Sequence, residues 1–322
     1  MDAAAPLPVT IVGGYLGAGK TTLVNHLLRH PDGRRIAVLV NDFGDIAIDA
    51  DLIDARDGDL IALAGGCVCC SFGSDLLGAL ERLAELPAPP ERLLIETSGV
   101  ALPGALARTL TLAPRARAAA IVVLADAETL EARLDDRYVG DTVRAQLAEA
   151  DLVLLNKADL AGPAGIARSR LRLAALAPRA RASPCVRAAV PAELVFGIDA
   201  DGVATRAAPD DRPPFGGPRP APASHAASAW FASISLELAP RVDVARLAAV
   251  LTAPAHGVLR AKGLLRDIDG TPVALQVVGA RAEIVASGHA DPDRGRLVCI
   301  GARGALDGAA LRAAIAAAVR TA

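Results

Sequence analysis

The stretch PVTIVGGYLGAGKTTLVNHLLRH, Pro8 to His30, carries three signals in succession. PVTIVGG (8–14) is a short apolar run ending in glycines, the pattern of a buried strand. GYLGAGKT (Gly14–Thr21) fits G-x-x-x-x-G-K-[ST]. From Lys20 onward apolar residues recur at helical spacing. A strand, a glycine loop and a helix in this order let consecutive backbone N–H groups converge on phosphates at the helix N-terminus. Gly14, Gly17, Ala18, Gly19 and Thr22 are expected to line that cradle. The Lys20 ammonium would reach the β/γ oxygens, and the Thr21 hydroxyl would ligate Mg²⁺.

Working outward, further strands are expected at 35–41, 92–97, 119–126 and 151–156, with CVRAAV (185–190) as a last one. Helical patterns separate them around 74–86, 128–134, 140–150 and 164–177. Near-continuous apolar strands alternating with helices indicate an α/β domain of the P-loop type, with a doubly wound, mainly parallel sheet covered on both faces. This domain is expected to occupy 1–198. Residues 199–228 are dense in Pro, Gly, Ala and Asp without periodicity, and read as a linker. Residues 229–322 then give a smaller α+β domain. Its strands are expected at 229–238, 257–266, 273–278, 282–287 and 297–301, with helices at 243–252 and 307–319.

With 322 residues, about half of them apolar, the chain can bury a substantial core. A net charge of −2 supplies no electrostatic footprint for nucleic acid or an anionic membrane. Its start has no basic region before an apolar run, and no segment approaches the roughly 20 apolar residues of a membrane span. A cytoplasmic location, where thiols stay reduced, is expected. Only three lysines occur (Lys20, Lys157, Lys262) in an Arg-rich chain, and two of them fall inside motifs. A lysine retained in such a composition marks a place where a planar guanidinium serves poorly.

NKAD (Asn156–Asp159) ends a strand, where doubly wound folds contact their ligands. A carboxylate only accepts hydrogen bonds. Asp159 can therefore take both N1–H and the exocyclic amine of guanine, whereas adenine offers an acceptor at N1. This selects GTP over ATP, with Asn156 supporting the base site and the Lys157 stem lying along base and ribose. The plainer reading is an Asn/Asp turn that caps the next helix. LLIETSG ends another strand with Glu96, which could hold a Mg²⁺-bound water or orient the attacking water. Gly99 would let the backbone approach the γ-phosphate. Here too a helix cap, from Thr97 or Ser98, is the plainer reading. NDFGDIAID (41–49) places Asp42, Asp45 and Asp49 around Gly44, which suits a Mg²⁺-sensitive switch loop in which Asp42 reaches the ion, although solvated loop acids would give the same pattern. Lys20, Asp45 and Glu96 are the expected catalytic groups. No arginine finger or water-positioning glutamine stands out, so intrinsic hydrolysis should be slow.

GGCVCC (65–70) crowds three of the five cysteines onto one turn. A disulfide between neighbours Cys69 and Cys70 is strained, and a reducing compartment disfavours it. A buried structural cluster is one remaining reading. The other is a soft-metal site, with thiolates of Cys67, Cys69 and Cys70 binding Zn²⁺ or Cu⁺ and one position open for an incoming ligand.

The P-loop, the ETSG acid, Cys-x-Cys-Cys and NKxD in this order resemble the CobW-like metallochaperone GTPases, relatives of the HypB and UreG nickel-insertion proteins. The similarity extends through NDFGDIAID, QLAEADLVLLNKADL and, in the second domain, LRAKGLL (259–265). The resemblance implies GTP with Mg²⁺ in the first domain, Zn²⁺ or Co²⁺ on the cysteine motif, and delivery to a client metalloprotein under control of the GTP/GDP cycle. Asp42 and Asp45 stand where the family usually has glutamate, Ser98 where threonine is common, and only His225 lies in the linker. With imidazole scarce, zinc is the first choice of cargo. Rival readings are a regulatory GTPase with redox-sensing cysteines, a P-loop kinase that uses ATP, and an activator dedicated to one cobalt or iron metalloenzyme. The oligomeric state stays open, a homodimer included.

Overall fold

The computed structural model describes residues 6–31, 34–41, 60–63, 72–197, 231–287 and 294–319. The chain divides into two compact units, Met1–Phe196 and Gly197–Ala322. The linker expected at 199–228 lies outside the described residues.

The first unit is built on seven strands: β1 (Leu7–Gly13), β2 (Ile36–Asn41), β3 (Leu60–Leu63), β4 (Arg92–Glu96), β5 (Ala116–Asp126), β6 (Leu152–Asn156) and β7 (Arg181–Pro184). They lie in the order β3-β2-β4-β1-β5-β6-β7, and every pairing is parallel. Parallel strands need crossovers, and the helices supply them: α1 (Lys20–Arg29), α2 (Phe72–Ala84), α3 (Pro103–Leu110), α4 (Leu130–Leu134), α5 (Gly140–Ala148), α6 (Ala158–Leu176) and α7 (Ala192–Phe196). The strand sequences run apolar without alternation because both faces are covered; all five residues of β6 are buried. Ile11 and Val123 of the sheet form one buried cluster with Leu106, Leu110, Leu134, Val143 and Leu147 of the helices. Each such side chain contributes about 1.5–3 kcal/mol over exposure.

Register decides where the chemistry stands. Val12 pairs with Glu96, Gly13 with Val123, and Asp126 with Asn156. The carboxyl ends of β1, β4, β5 and β6 therefore form one edge, and β5 runs past the end of β1. The chain goes from β1 to β2 on one side of the sheet and from β4 to β5 on the other, so this edge holds the crevice where doubly wound folds bind ligands.

Three local expectations are corrected. CVRAAV (185–190) is not a strand: β7 stops at Pro184, and Arg187 and Ala188 adopt left-handed φ of 50° and 51°. The segment turns because Asn156 captures the Ala188 N–H and His26 Nε2 meets the Val190 carbonyl at 2.9 Å. Neither Thr97 nor Ser98 caps α3. Its N-cap is Leu102 with Pro103 at the first turn, Thr97 Oγ1 donates to the Val12 carbonyl instead, and Glu149 Oε2 accepts the Gly104 N–H at 2.8 Å. Helix α6 begins at Ala158, earlier than its periodicity, and is broken at Gly162 (φ 65°, ψ 175°) before Pro163. Proline disfavours helical geometry at the residue before it, so the first turn is a separate piece from the amphipathic body. β3, only four residues long, has no periodic signal to betray it.

The second unit is a five-stranded antiparallel sheet, β8 (Phe231–Leu238), β9 (Val258–Arg266), β10 (Pro272–Val278), β11 (Arg281–Ala286) and β12 (Gly295–Ala302), in the order β11-β10-β9-β12-β8. Helices α8 (Val244–Thr252) and α9 (Gly308–Val319) bury Leu247, Leu251, Leu311 and Ile315 in one cluster with Leu275 and Cys299 of the sheet. Asp243 caps α8 by accepting the Arg246 N–H, a contact worth about 1 kcal/mol. Among the described residues, no helix is long and apolar enough to cross a membrane.

Candidate nucleotide site

Between β1 and α1 the chain forms a tight glycine loop. Gly14, Gly17 and Gly19 all have positive φ, and the Ala18 N–H turns back onto the Tyr15 carbonyl at 3.2 Å. Gly19 is the N-cap of α1 in left-handed geometry with no side-chain cap, an arrangement that leaves the first N–H groups of the helix suited to an anion. A Cβ on Gly19 would stand 2.4 Å from Asn156 Nδ2. That crowding has a cause: Asn156 Nδ2 donates to the Ala18 carbonyl at 2.9 Å.

Asn156 is 2% exposed at the end of β6. Its Oδ1 accepts the Ala188 N–H at 2.8 Å and a weaker contact from Cys185 Sγ at 3.7 Å. Only this orientation of the carboxamide satisfies a carbonyl on one side and an N–H on the other. The side chain thus pins the phosphate loop to the turn after β7. Lys157 follows in left-handed geometry (φ 59°) as the N-cap of α6, again without a side-chain cap. Its Nζ pairs with Asp126 Oδ2 at 2.7 Å, while Asp126 Oδ1 accepts the Glu128 N–H. Asp159 is exposed in the first turn of α6. The capping role that would have explained NKAD without a ligand is therefore absent.

On the other side of β1, Glu96 ends β4 at 2% exposure and accepts from the Thr21 hydroxyl at 3.3 Å through Oε1. Lys20 is buried at the start of α1, and Thr22 beside it is exposed. Ser98 is buried next to the acid, and its Oγ has no hydrogen-bond partner among the described residues. A buried hydroxyl without a partner costs about 1–3 kcal/mol unless something else meets it. Oxygens of Thr21 and Glu96 suit a hard cation such as Mg²⁺ and its waters. Gly99 lies against the glycine loop so closely that a Cβ would stand 2.4 Å from Leu16 Cδ2.

Asp42, Asp45, Cys67, Cys69 and Cys70 lie outside the described residues. Their flanks are described: Asn41 and Leu63, in register with each other, end β2 and β3 at the same carboxyl edge as the glycine loop. Among the described residues no group of three or more His, Cys, Asp or Glu is placed to hold a metal. The other two cysteines are fully buried, and burial pushes the thiols of Cys185 and Cys299 up to about 12. They are neutral and chemically quiet at physiological pH.

Sequence reasoning missed Asp126, Ala188 and Gln146. Asp126 could have been read from its place at the end of an apolar strand beside the Asn156 strand. Ala188 had no signal, because its role belongs to its backbone. Gln146 had one: it falls on the apolar stripe Val143, Leu147 of its helix, where a polar side chain needs a reason.

Glycine loop, acid, NKAD and the β1-centred parallel edge define a P-loop protein of the GTP-binding class. Residues 8–183 match the family described as CobW/HypB/UreG, nucleotide-binding domain, and residues 231–319 match the cobalamin synthesis protein cobW C-terminal domain. The chain belongs to the CobW/HypB/UreG family. It is 31% identical to the zinc chaperone CobW of Sinorhizobium sp, with 97% of each chain covered. With the zinc chaperone YjiA of Escherichia coli K12 it shares 36% identity over 54% of this chain and 56% of that protein. The crystal structure of Zn(II)-bound YjiA GTPase from E. coli is 26% identical and covers 98% of this chain and 99% of that chain, at a TM-score of 0.47.

Proposed function

We propose that this chain hydrolyses GTP with Mg²⁺ and uses the GTP/GDP cycle to hand a zinc ion, held at Cys67, Cys69 and Cys70, to a client metalloprotein. The observation that carries the nucleotide half is the Asn156 bridge, which sets the glycine loop and the NKAD turn in one rigid relation. With Lys157 held by Asp126, the exposed Asp159 carboxylate is left as the acceptor for guanine. Gly14, Gly17, Ala18, Gly19 and Thr22 would present N–H groups to the phosphates, with Lys20 against the β/γ oxygens and Gly99 near the γ-phosphate. Thr21 and Asp42 would hold Mg²⁺, which neutralises charge developing on the phosphates. Glu96, with Asp45, would orient the attacking water. The zinc half is supported by the relatives, which are named zinc chaperones, and by thiolate chemistry suited to zinc.

Coupling between the halves requires zinc affinity to differ between nucleotide states; each tenfold difference corresponds to about 1.4 kcal/mol. The test is a pair of titrations. GTP should bind and ATP should not, and zinc affinity should change when a non-hydrolysable GTP analogue replaces GDP. Equal zinc affinity in both states refutes the coupling. Cobalt-substituted protein without a sulfur-to-metal charge-transfer band refutes the cysteine site.

A further inference from the structure

The loop after Glu96 is held from one side by a side chain of α5. Gln146, on α5 and 1% exposed, donates through Nε2 to the Gly99 carbonyl at 3.0 Å and to the Ala101 carbonyl at 2.9 Å. A carboxamide has two N–H donors, and both are spent on this loop. Its Oε1 is buried with no hydrogen-bond partner among the described residues. An apolar residue, like its neighbours Val143 and Leu147 on the same stripe, would avoid that orphan. A glutamine kept there at such a cost is explained by the two carbonyls it holds.

From its other side the loop meets the glycine cradle, with Gly99 against Leu16. A planar trans peptide puts C=O and N–H on opposite sides. Fixing the Gly99 carbonyl toward α5 therefore fixes the following Val100 N–H away from it, and fixing the Ala101 carbonyl does the same for the Leu102 N–H. The loop so held is continuous with Glu96, whose Oε1 stands 3.3 Å from the Thr21 hydroxyl. A second tie from the same helix region, Glu149 Oε2 to the Gly104 N–H, holds the far end of the segment.

We propose that Gln146 is a positioning residue for γ-phosphate recognition: it holds the Gly99–Ala101 loop at the distance from the P-loop at which a triphosphate, and not a diphosphate, is engaged. This deepens the GTP-cycle reading above and rests on it. Gln146 touches no part of the nucleotide; it acts through the Gly99 backbone.

The test compares wild type, Gln146→Ala and Gln146→Glu in three measurements: affinity for GDP, affinity for a non-hydrolysable GTP analogue, and single-turnover GTP hydrolysis. Losing two buried hydrogen bonds should lower analogue affinity and hydrolysis about tenfold or more, with GDP affinity within about twofold. In Gln146→Glu a carboxylate would face two carbonyls, which raises its pKa, so hydrolysis relative to wild type should recover as pH is lowered and the protonated acid donates to one of them. If Gln146→Ala does not fold, Gln146→Glu carries the test alone. Equal weakening of GDP and analogue overturns the proposal, because the residue then merely supports the P-loop. Unchanged hydrolysis overturns it too. Wild-type protein that binds neither nucleotide overturns the GTP-cycle reading itself; wild-type protein that binds both, with unaltered variants, overturns this inference alone.

Discussion

Asn156→Ala separates two roles that the NKAD motif confounds. If Asn156 acts on the base, its loss should be felt only when nucleotide is bound. The structure assigns it to the scaffold, where Nδ2 holds the Ala18 carbonyl and Oδ1 holds the Ala188 N–H, all at 2% exposure. Removing it strands one buried acceptor and one buried donor at about 1–3 kcal/mol each, so the nucleotide-free chain should lose about 2–6 kcal/mol. For a unit of this size that corresponds to a fall of about 4–24 °C in the melting transition, followed by far-UV circular dichroism without nucleotide. Asn156→Asp refines the test. A buried carboxylate facing the Ala18 carbonyl has a raised folded-state pKa, so the native chain binds more protons than the unfolded one above about pH 4. Stability relative to wild type should therefore fall as pH rises through neutrality, and the variant should be less impaired at pH 5 than at pH 8. An Asn156→Ala chain that melts within 1 °C of wild type yet loses GTP affinity would refute the scaffold assignment.

Gly19→Ala should lose nucleotide binding by tenfold or more in an equilibrium titration, because the new Cβ collides with Asn156 Nδ2 in a left-handed backbone that costs about 1–2 kcal/mol for any other residue. Asp126→Asn frees Lys157 from a partly exposed ion pair; screening keeps the effect to about 1 kcal/mol or less, seen as up to about fivefold weaker GTP binding with little change in melting temperature. Cys185 and Cys299, with thiols raised to about 12 by burial, should resist a thiol reagent at pH 8 in the folded chain and react on unfolding. Alkylation of either in native protein, mapped by mass spectrometry, would contradict their burial.

What the sequence alone determined is what local spacing encodes. The period of apolar residues gave alternating strands and helices. The glycine spacing of Gly14–Thr21 gave the phosphate loop, because the backbone conformation it needs is a property of those residues themselves. The second unit's strands and helices were legible in the same way. What only the tertiary structure decided is which side chains meet across the carboxyl edge. Asn156 grips Ala18, Asp126 grips Lys157, and Gln146 reaches Gly99 and Ala101, all between elements distant in the chain. Such pairings depend on parallel register and on β5 outrunning β1, and neither leaves a mark in any single segment. CVRAAV shows the same limit from the other direction: an apolar run with strand composition becomes a turn because a buried asparagine on β6 has an acceptor that its own strand cannot satisfy.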